Sequence, residues 1–404
     1  MTLTPVEDVV AAVERSVHPT PVSEIPIARC WRAVLARDVA ALVSLPPHDN
    51  SAMDGYAVRA EDTTEARPAD PVSLRVVGRS HAGFPSVVPC TPGDAVEIAT
   101  GALVPAGADA VVRVEEVEKE GEEILVRVPV ESGRDVRRRG EDVAHGDVVL
   151  ERGVTLGQVQ LAAAAACGHR SLPVHRPAHL TVVLTGDEVS RRGDLEPGQV
   201  PDALGDSMMA ALTDEGPVDV DLVGPVGDDH DRLAATIGTA ASVSDLIVTI
   251  GGVSVGPRDR VAATIEDLGS VERWRVAVKP GKPFALGIVD EVPVLCLPGN
   301  PIAALVAYEL FVRAAVGQLA GRPFRPAIRP VRLTAAVEGD GERLRLVRGH
   351  VAEGADHASV TPVGRGGSGR VASAGTANVW IVVPPGTARL DAGDEVMLRP
   401  MAGA

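Results

Sequence analysis

The chain has 404 residues, of which 45% are hydrophobic and 23% charged, and its net charge at neutral pH is −16. This length is sufficient for two to four domains, and the composition is that of a globular protein. The acidic balance argues against a general nucleic-acid-binding protein, which would be basic, although it does not exclude a local anion site.

The start of the chain, its longest apolar run and its cysteines indicate the cellular compartment. The start, MTLTPVEDVVAAVERS, is acidic and amphipathic rather than a signal peptide, and the apolar run at 161–167 is too short to span a membrane. We therefore expect a cytoplasmic protein. The four cysteines lie far apart, with no partners at metal-ligand spacing, and we expect them to be buried free thiols.

The first part of the chain alternates between helical and strand patterns. Apolar residues three and four positions apart predict helices over 5–17 and 27–42, and a further helix over 157–168. Short β runs separated by Gly and Pro occupy 71–130. A β-rich block is therefore inserted into a helical one. The predicted boundaries are 1–45 and 146–175 for the helical domain and 46–145 for the inserted domain.

From residue 178 to 320 strands and helices alternate, which predicts a doubly wound parallel sheet. Ligands bind such sheets beyond the carboxyl ends of the strands. Two loops, TGDEV at 185–189 and GGVSVG at 251–256, fall at such ends. Residues 326–404 return to short strands and predict a small β barrel or sandwich. The predicted boundaries of these two domains are 176–325 and 326–404.

Lysine is rare in this chain, which otherwise uses arginine as its cation. Of the three lysines, Lys279 and Lys282 flank one Pro-Gly pair in KPGKP. Two strand-like runs follow, joined by Asp290-Glu291 in a plausible tight hairpin, and the second run leads into LPGNP. Because a hairpin returns the chain, we expect KPGKP and LPGNP to lie at the same end of the sheet.

A helical pattern follows LPGNP, with Asn300 as a good N-cap and Pro301 as a good first residue. Two lysines beside the N–H groups of a helix start would form an anion site. Lysine carries a compact charge, which suits a small tetrahedral oxyanion or phosphate. The alternative is that both lysines are solvated loop residues.

The other two loops also allow two interpretations. Glycines in GGVSVG would let the backbone approach a phosphate, although such turns often serve only packing. Asp259 is either a helix cap or a functional acid. Asp187 and Glu188 in TGDEV could bind a divalent cation through oxygen, or could be solvated loop acids.

Taken together, these loops resemble those of the molybdopterin molybdenumtransferases, a family that includes the E domain of gephyrin. The resemblance covers nearly the whole chain, and NSAMDGYAV and the KPGKP–LPGNP pair are its most specific parts. The motifs, in the family's order, are DNSAMDGYAVR (49–59), IATGALVPAGADAVV (98–112), GRDVRRRGED (133–142), TGDEV, GGVSVGPRD (251–259), KPGKP (279–283), LPGNP (297–301), LRLVRG (344–349) and GGSGRVASAGTAN (366–378).

The resemblance implies an activity and an architecture. The activity is insertion of molybdate into adenylylated molybdopterin, with release of AMP to give molybdenum cofactor, assisted by Mg²⁺. The fold class is an elongated multi-subdomain α/β plus β chain, with a doubly wound α/β molybdopterin-binding domain, an inserted β-rich domain and a C-terminal small β barrel. The family also implies a homodimer with a shared cleft. The molybdopterin adenylyltransferase and acceptor molybdoenzymes are possible partners.

The resemblance also implies roles for individual residues. The catalytic set is Asp54, Thr100, Asp142, Glu188, Asp259, Lys279 and Lys282. The cofactor-binding set is Gly251, Gly252, Ser254, Gly256, Pro283, Pro298, Gly299, Asn300, Arg348 and Ser368. The metal ligands are Asp187, Glu188 and Asp259. Three of these positions have structural alternatives: a turn for Asp54, a structural hydroxyl for Thr100, and a salt bridge with Arg137 or Arg139 for Asp142.

The sequence departs from the family pattern at three single residues and in one three-residue segment. Ala303 replaces a hydroxyl residue that helps to hold molybdate, and Asp202-Ala203-Leu204 replaces DSN. Glu97 stands where arginine is usual, and Pro257 where an acid is usual. These changes leave two alternatives to the enzyme: a paralogue that binds or carries the cofactor without inserting the metal, and an interaction scaffold as in gephyrin, which only analogy supports.

Overall fold

The structure is a computed structural model that describes residues 2–253, 260–352, 358–364, 367 and 369–403. The chain divides into two compact units. The larger unit comprises residues 1–37, 153–157 and 171–404, and the smaller unit comprises 38–152 and 158–170.

Seven α-helices lie in the described residues, and the last two are joined by a π-helical turn at Tyr308–Val312. The helices are α1 (Val6–Ser16), α2 (Gln158–Ala166), α3 (Gly205–Glu215), α4 (His230–Ala241), α5 (Val261–Leu268), α6 (Pro301–Ala307) and α7 (Arg313–Leu319). Strands up to the start of the central sheet are β1 (Val22–Pro26), β2 (Val39–Ala40), β3 (Asn50–Ser51), β4 (Gly55–Val58), β5 (Val72–Ser80), β6 (Asp94–Ile98), β7 (Ala110–Arg113), β8 (Val117–Glu120), β9 (Glu123–Val126), β10 (Val136–Arg137), β11 (Val148–Leu150) and β12 (Ser171–His175). The following strands are β13 (Ala178–Thr185), β14 (Val189–Ser190), β15 (Val200–Pro201), β16 (Val218–Val226), β17 (Leu246–Ile250), β18 (Ser270–Arg275), β19 (Val278–Lys279), β20 (Pro283–Val289) and β21 (Val292–Leu297). The C-terminal strands are β22 (Arg329–Leu333), β23 (Val337–Glu338), β24 (Leu344–Ala352), β25 (Ser359–Pro362), β26 (Val379–Val383), β27 (Arg389–Leu390) and β28 (Glu395–Pro400).

The smaller unit is built on a six-stranded sheet in the order β7-β4-β6-β5-β9-β8. Alternate residues of its strands point into one apolar core, in which Leu74 and Ile124 are fully buried. Two short ladders, β2 with β11 and β3 with β10, bring the chain back beside this sheet. The predicted inserted β-rich block is therefore confirmed as a fold, while the domain boundaries remain predictions.

The larger unit contains the predicted doubly wound sheet, in the order β16-β13-β17-β21-β20-β18. Strands β16, β13, β17 and β21 are parallel, and β20 and β18 complete the sheet in antiparallel orientation. Alternation along β13 sends Val182 into one apolar core and Val183 into another. One core includes residues of α1, α3 and the α6–α7 helix, and the other includes residues of α4 and α5, so helices cover both faces of the sheet.

The C-terminal strands close into a five-stranded barrel, β24-β25-β22-β28-β26, because β26 also pairs with β24. The structure thereby selects a barrel over a sandwich. Strand β19 adds to the edge of the barrel by pairing with the start of β24. KPGKP is therefore attached through its first residue to the C-terminal barrel and through its last residue to the central sheet.

The predicted helix over 27–42 is wrong. A single 3₁₀ turn, Ile27–Arg29, is followed by irregular chain and then by β2. Leu35 bridges Val174, and Val34 bridges Thr155. The apolar side chains are buried by these long-range pairings rather than by a helical face, because tertiary contacts override local periodicity.

The stretch Pro301–Leu319, which spans α6, the π-helical turn and α7, is long and apolar enough in composition to cross a membrane. However, 78% of its most apolar window is buried inside the protein, and Phe311 lies in the main core. The core helix of a globular domain meets the same criterion of length and apolar composition.

The buried Glu309 connects this helix to the barrel. Its carboxylate accepts hydrogen bonds from Arg313 of the helix and from Arg399 of β28.

Candidate functional site

The carboxyl ends of the three central parallel strands lie at one edge of the sheet. Leu184 is opposite Ile250, and Ile250 is opposite Leu297. TGDEV and GGV begin directly after Leu184 and Ile250, and Leu297 is itself the first residue of LPGNP. The structure therefore brings the three motifs to one edge; the position at a strand end was predicted for TGDEV and the glycine loop, and LPGNP joins them.

Glycines allow these loops to touch one another. A β-carbon placed on Gly251 would lie 2.6 Å from Thr185 Oγ1, and its φ is +103°. The Gly251 N–H donates to the Leu297 carbonyl at 3.0 Å. A β-carbon on Gly299 would lie 3.5 Å from Gly251 Cα. The close approach therefore requires glycine at 251 and joins the three loops into one surface.

KPGKP joins the same edge by way of the predicted hairpin. Strands β20 and β21 pair in antiparallel fashion up to Val289 opposite Val292. The two turn residues, Asp290 and Glu291, have φ values of 48° and 67°, as a two-residue type I′ turn requires. A β-carbon on Gly281 would lie 3.4 Å from the Ala303 carbonyl oxygen, so KPGKP contacts the first turn of α6. The hairpin prediction is confirmed.

The α6 start follows the prediction in part. Asn300 is the N-cap and Pro301 is the first helical residue, but the Asn300 side chain forms no capping hydrogen bond. Gly299 and Asn300 are exposed, Pro298 is buried, and Pro283 pairs with Arg275 at the start of β20. An exposed, uncapped helix start leaves N–H groups available for a ligand.

The two lysines of KPGKP are in different electrostatic states. Lys279 Nζ lies 2.5 Å from Asp340 Oδ1, while its side chain remains 43% exposed. Lys282 forms no ion pair within the described part of the chain, and its backbone carbonyl accepts a hydrogen bond from the Val276 N–H. One cation is therefore partly neutralised by the protein, and the other is available.

Arg348 lies on the barrel strand that also holds Lys279. The Lys279 backbone pairs with Arg345, three residues before Arg348 on β24. Arg348 is buried, donates to the Arg370 carbonyl at 2.9 Å, and lies close to Gly364. Burial lowers the pKa of the Arg348 guanidinium. On this strand Arg348 lies three residues, roughly 10 Å, beyond the position that pairs with Lys279.

The two acids of TGDEV are exposed and form no ion pair with a described residue. Asp187 Oδ1 accepts a hydrogen bond from the Asp228 N–H at 3.3 Å. A β-carbon on Gly227 would lie 2.6 Å from Asp187 Oδ1, so this carboxylate packs close to the Gly227 backbone. Two free carboxylates at a loop are a suitable oxygen donor set for a hard cation, although no group of three such ligands forms among the described residues.

Several predicted residues lie outside the described residues: Ser254, Gly256, Asp259 and Ser368, together with the departure at Pro257. Gly252 is described, and its φ is +64°. A β-carbon there would collide with Val261 at the start of α5.

The remaining predicted residues belong to the smaller unit. Asp54 Oδ1 accepts hydrogen bonds from the Thr100 N–H at 2.7 Å and the Thr100 hydroxyl at 3.0 Å. The backbone hydrogen bond from Thr100 is the main reason why the pKa of Asp54 is lowered. The structure therefore brings Asp54 and Thr100 together, with the acid held as a carboxylate.

Asp142 is exposed, and it forms no salt bridge with Arg137 or Arg139 in the described structure. Asp49 takes that structural role instead: it accepts from the Arg139 N–H at 2.8 Å and from Arg138 Nη1 at 2.7 Å. The salt-bridge alternative for Asp142 is thus wrong, and the carboxylate is open to solvent.

The described departures have structural explanations. Ala303 is buried, 3% exposed, in the first turn of α6. Asp202 Oδ1 accepts from the N–H groups of Leu204 and Gly205, both at 2.9 Å, and so caps the start of α3. Glu97 lies 3.2 Å from Arg79 and 3.7 Å from Lys119, the third lysine of the chain.

These features define a class of protein: an α/β protein in which glycine loops, lysines and carboxylates meet at one edge of the sheet, the donor set that an anion site would need. Comparison with known proteins identifies the family. Residues 4–168 match the MoeA N-terminal region (domain I and II), 181–318 a probable molybdopterin-binding domain, and 330–400 the MoeA C-terminal region (domain IV).

Relatives of nearly full length agree with this assignment. The chain is 33% identical over 398 residues to the molybdopterin molybdenumtransferase of Haemophilus influenzae, covering 96% of each chain. It is 38% identical over 339 residues to molybdopterin molybdenumtransferase 2 of Mycobacterium tuberculosis, covering 81% of this chain and 83% of the relative. A molybdopterin biosynthesis MoeA protein from Pyrococcus horikosii matches the whole of both chains, with a TM-score of 0.86 and 32% identity. The chain belongs to the molybdopterin molybdenumtransferase family of enzymes, and the predicted family and fold class are confirmed.

Proposed function

We propose that the site inserts molybdate into adenylylated molybdopterin and releases AMP, giving molybdenum cofactor. The observation that carries this proposal is the convergence of KPGKP, LPGNP and the glycine loop at one sheet edge, with Lys282 free of an ion pair in the described structure. Nothing in the comparisons favours the alternative of a carrier that does not insert the metal.

The anion-binding part of the site would hold molybdate. Lys282 and Lys279 offer compact cations, and Arg348 offers a buried guanidinium on the strand that pairs with Lys279. Attraction between an oxyanion and cations is stronger where water is partly excluded. These three residues would therefore fix and orient the oxyanion, and Ser368 is proposed as a further contact.

The pterin and its phosphate would lie along the glycine loops. Gly251, Gly252 and Gly299 present backbone without side chains in these loops, which would let a phosphate approach the main chain. The proposed loop contacts also include Ser254, Gly256, Pro283, Pro298 and Asn300. Cleavage of the phosphate link depends mainly on positioning and charge neutralisation rather than on a protein nucleophile.

The residues also suit a magnesium ion. Asp187 and Glu188, with Asp259, would hold it, and the ion would neutralise phosphate charge. Binding can be measured without turnover, by the enhancement of water relaxation when Mn²⁺ is titrated into the protein in place of Mg²⁺. Asp187→Asn should weaken binding, whereas Asp219→Asn, on the same sheet, should not.

In the smaller unit, Asp54, Thr100 and Asp142 would contribute carboxylates and a hydroxyl to the reaction. Asp54 is held ionised by Thr100, and Asp142 is exposed. An ionised carboxylate can accept a proton or orient a polar group of the substrate. Their contribution is proposed on the family motifs together with this geometry.

We also propose a cytoplasmic homodimer. Helix α2 has seven apolar residues among its nine, yet among its residues only Ala164 is buried. Val159 of this helix is 75% exposed, and Leu42 and Val148 nearby in the same unit are also exposed. Helices that are apolar all round are normally covered. Val159→Asp should shift the protein to a monomer in light scattering.

We also propose contacts with the molybdopterin adenylyltransferase and with acceptor molybdoenzymes, and these rest on the resemblance alone.

AMP release tests the proposed reaction. The purified protein, adenylylated molybdopterin and Mg²⁺ should release AMP only slowly until micromolar molybdate is added, and quickly thereafter. Tight pterin binding with no molybdate-dependent release of AMP would contradict the transferase activity and favour a carrier that binds the cofactor without inserting the metal.

A further inference from the structure

One of the two KPGKP lysines, Lys279, already forms an ion pair with a carboxylate from the C-terminal part of the chain, Asp340. Asp340 Oδ1 lies 2.5 Å from Lys279 Nζ, and its other oxygen accepts from Arg343 Nε. The Asp340 side chain is only 13% exposed. Burial opposes its ionisation, but the hydrogen bonds from Lys279 and Arg343 prevail, and the pKa of Asp340 is lowered. The carboxylate is therefore charged at neutral pH.

Backbone contacts hold Asp340 in this position. The Gly339 N–H donates to the Ala388 carbonyl at 2.7 Å, and a β-carbon on Gly339 would collide with the Thr387 carbonyl. On the other side, the Gly341 carbonyl accepts from the Gly386 N–H at 2.5 Å. Both neighbours of Asp340 are thus fixed to the segment 386–388, and these hydrogen bonds hold the carboxylate in place.

We propose that Asp340 is a specificity-determining residue, an internal competitor that an oxyanion must displace from Lys279. This inference rests on the proposed anion role of Lys279. A monoanion or a weakly held anion gains too little from the lysines to displace a fixed carboxylate, whereas a dianion held also by Lys282 and Arg348 gains more. Asp340 would thus lower affinity for all anions and favour the dianionic oxyanion among them.

The test measures molybdate dependence of AMP release in four proteins: wild type, Asp340→Asn, Glu342→Gln and Lys279→Ala. Glu342 is an exposed acid two residues from Asp340 with no ion pair in the described structure, so its variant removes the same charge without freeing Lys279. Asp340→Asn should lower the KM for molybdate by roughly threefold to tenfold and increase inhibition by chloride, while Glu342→Gln should change neither.

The outcomes separate this inference from the proposed function. If Lys279→Ala leaves the KM for molybdate unchanged, the anion role of Lys279 is wrong and the inference falls with it. If Lys279→Ala raises the KM but Asp340→Asn leaves it unchanged or raises it, only the role of Asp340 is wrong. Thermal unfolding checks that each variant is folded, and Asp340→Ser serves as a second variant that also frees Lys279.

Discussion

Gly251 packs directly on Thr185, and this contact joins the ends of two parallel strands at the candidate site. A β-carbon at 251 would lie 2.6 Å from Thr185 Oγ1 and 2.8 Å from the Thr185 carbonyl oxygen, in a backbone conformation with φ +103°. Glycine has no β-carbon to clash with Thr185, and it adopts a positive φ without strain.

Gly251→Ala should therefore destabilise the protein by about 2–4 kcal/mol, combining left-handed strain with a steric clash, and should lower activity. Urea unfolding measures the change in free energy. Gly83→Ala is the matched control, because Gly83 has a φ of +81° but no atom near its β-carbon position. A cost at 251 no larger than that at 83 would show that the contact with Thr185 is unimportant.

Asp54→Asn should lower kcat at least tenfold if the carboxylate acts on substrate. The urea midpoint of unfolding should stay close to that of the wild type, since the group is exposed. Asp62→Asn is the control, because Asp62 also accepts a backbone N–H, from Gly93 at 3.0 Å. Equal kinetic effects in the two variants would assign Asp54 to the fold rather than to the reaction.

The hairpin and the strand ends were predictable because their signals are local: two turn residues between apolar runs, and loops directly after buried strands. The absence of a helix at 27–42 was not predictable, because Leu35 is buried by pairing with Val174, far along the chain. The ion pair between Asp340 and Lys279 was not predictable either, because the two residues lie 61 positions apart in the sequence. Asp49 was missed for a similar reason, as its partners Arg138 and Arg139 lie about 90 residues away.

Ala303→Ser should restore a hydroxyl beside KPGKP, because the Ala303 carbonyl already faces Gly281. One added hydrogen bond to the oxyanion is worth about 1 kcal/mol, which corresponds to a fall of about fivefold in the KM for molybdate. Ala304→Ser, the next position in the same helix, controls for adding a buried hydroxyl. If both variants behave alike, residue 303 does not contact the anion.

The four cysteines should resist modification in the native protein. All are buried thiols outside any disulfide, as predicted, and burial raises the pKa of Cys90 to about 11. At pH 8 only about one Cys90 thiol in a thousand would then be ionised. A disulfide reagent should therefore detect four thiols only after unfolding. A thiol that reacts within seconds in the native state would contradict the burial.

The measurement that tests the central claim most directly is the KM for molybdate of Lys282→Ala, compared with that of Lys119→Ala. Lys119 belongs to the smaller unit and pairs with Glu97 at 3.7 Å, so its removal controls for the loss of one lysine. We expect Lys282→Ala to raise the KM at least tenfold, which corresponds to about 1.4 kcal/mol, and Lys119→Ala to leave it unchanged. An unchanged KM in Lys282→Ala would contradict the assignment of this sheet edge as the molybdate site.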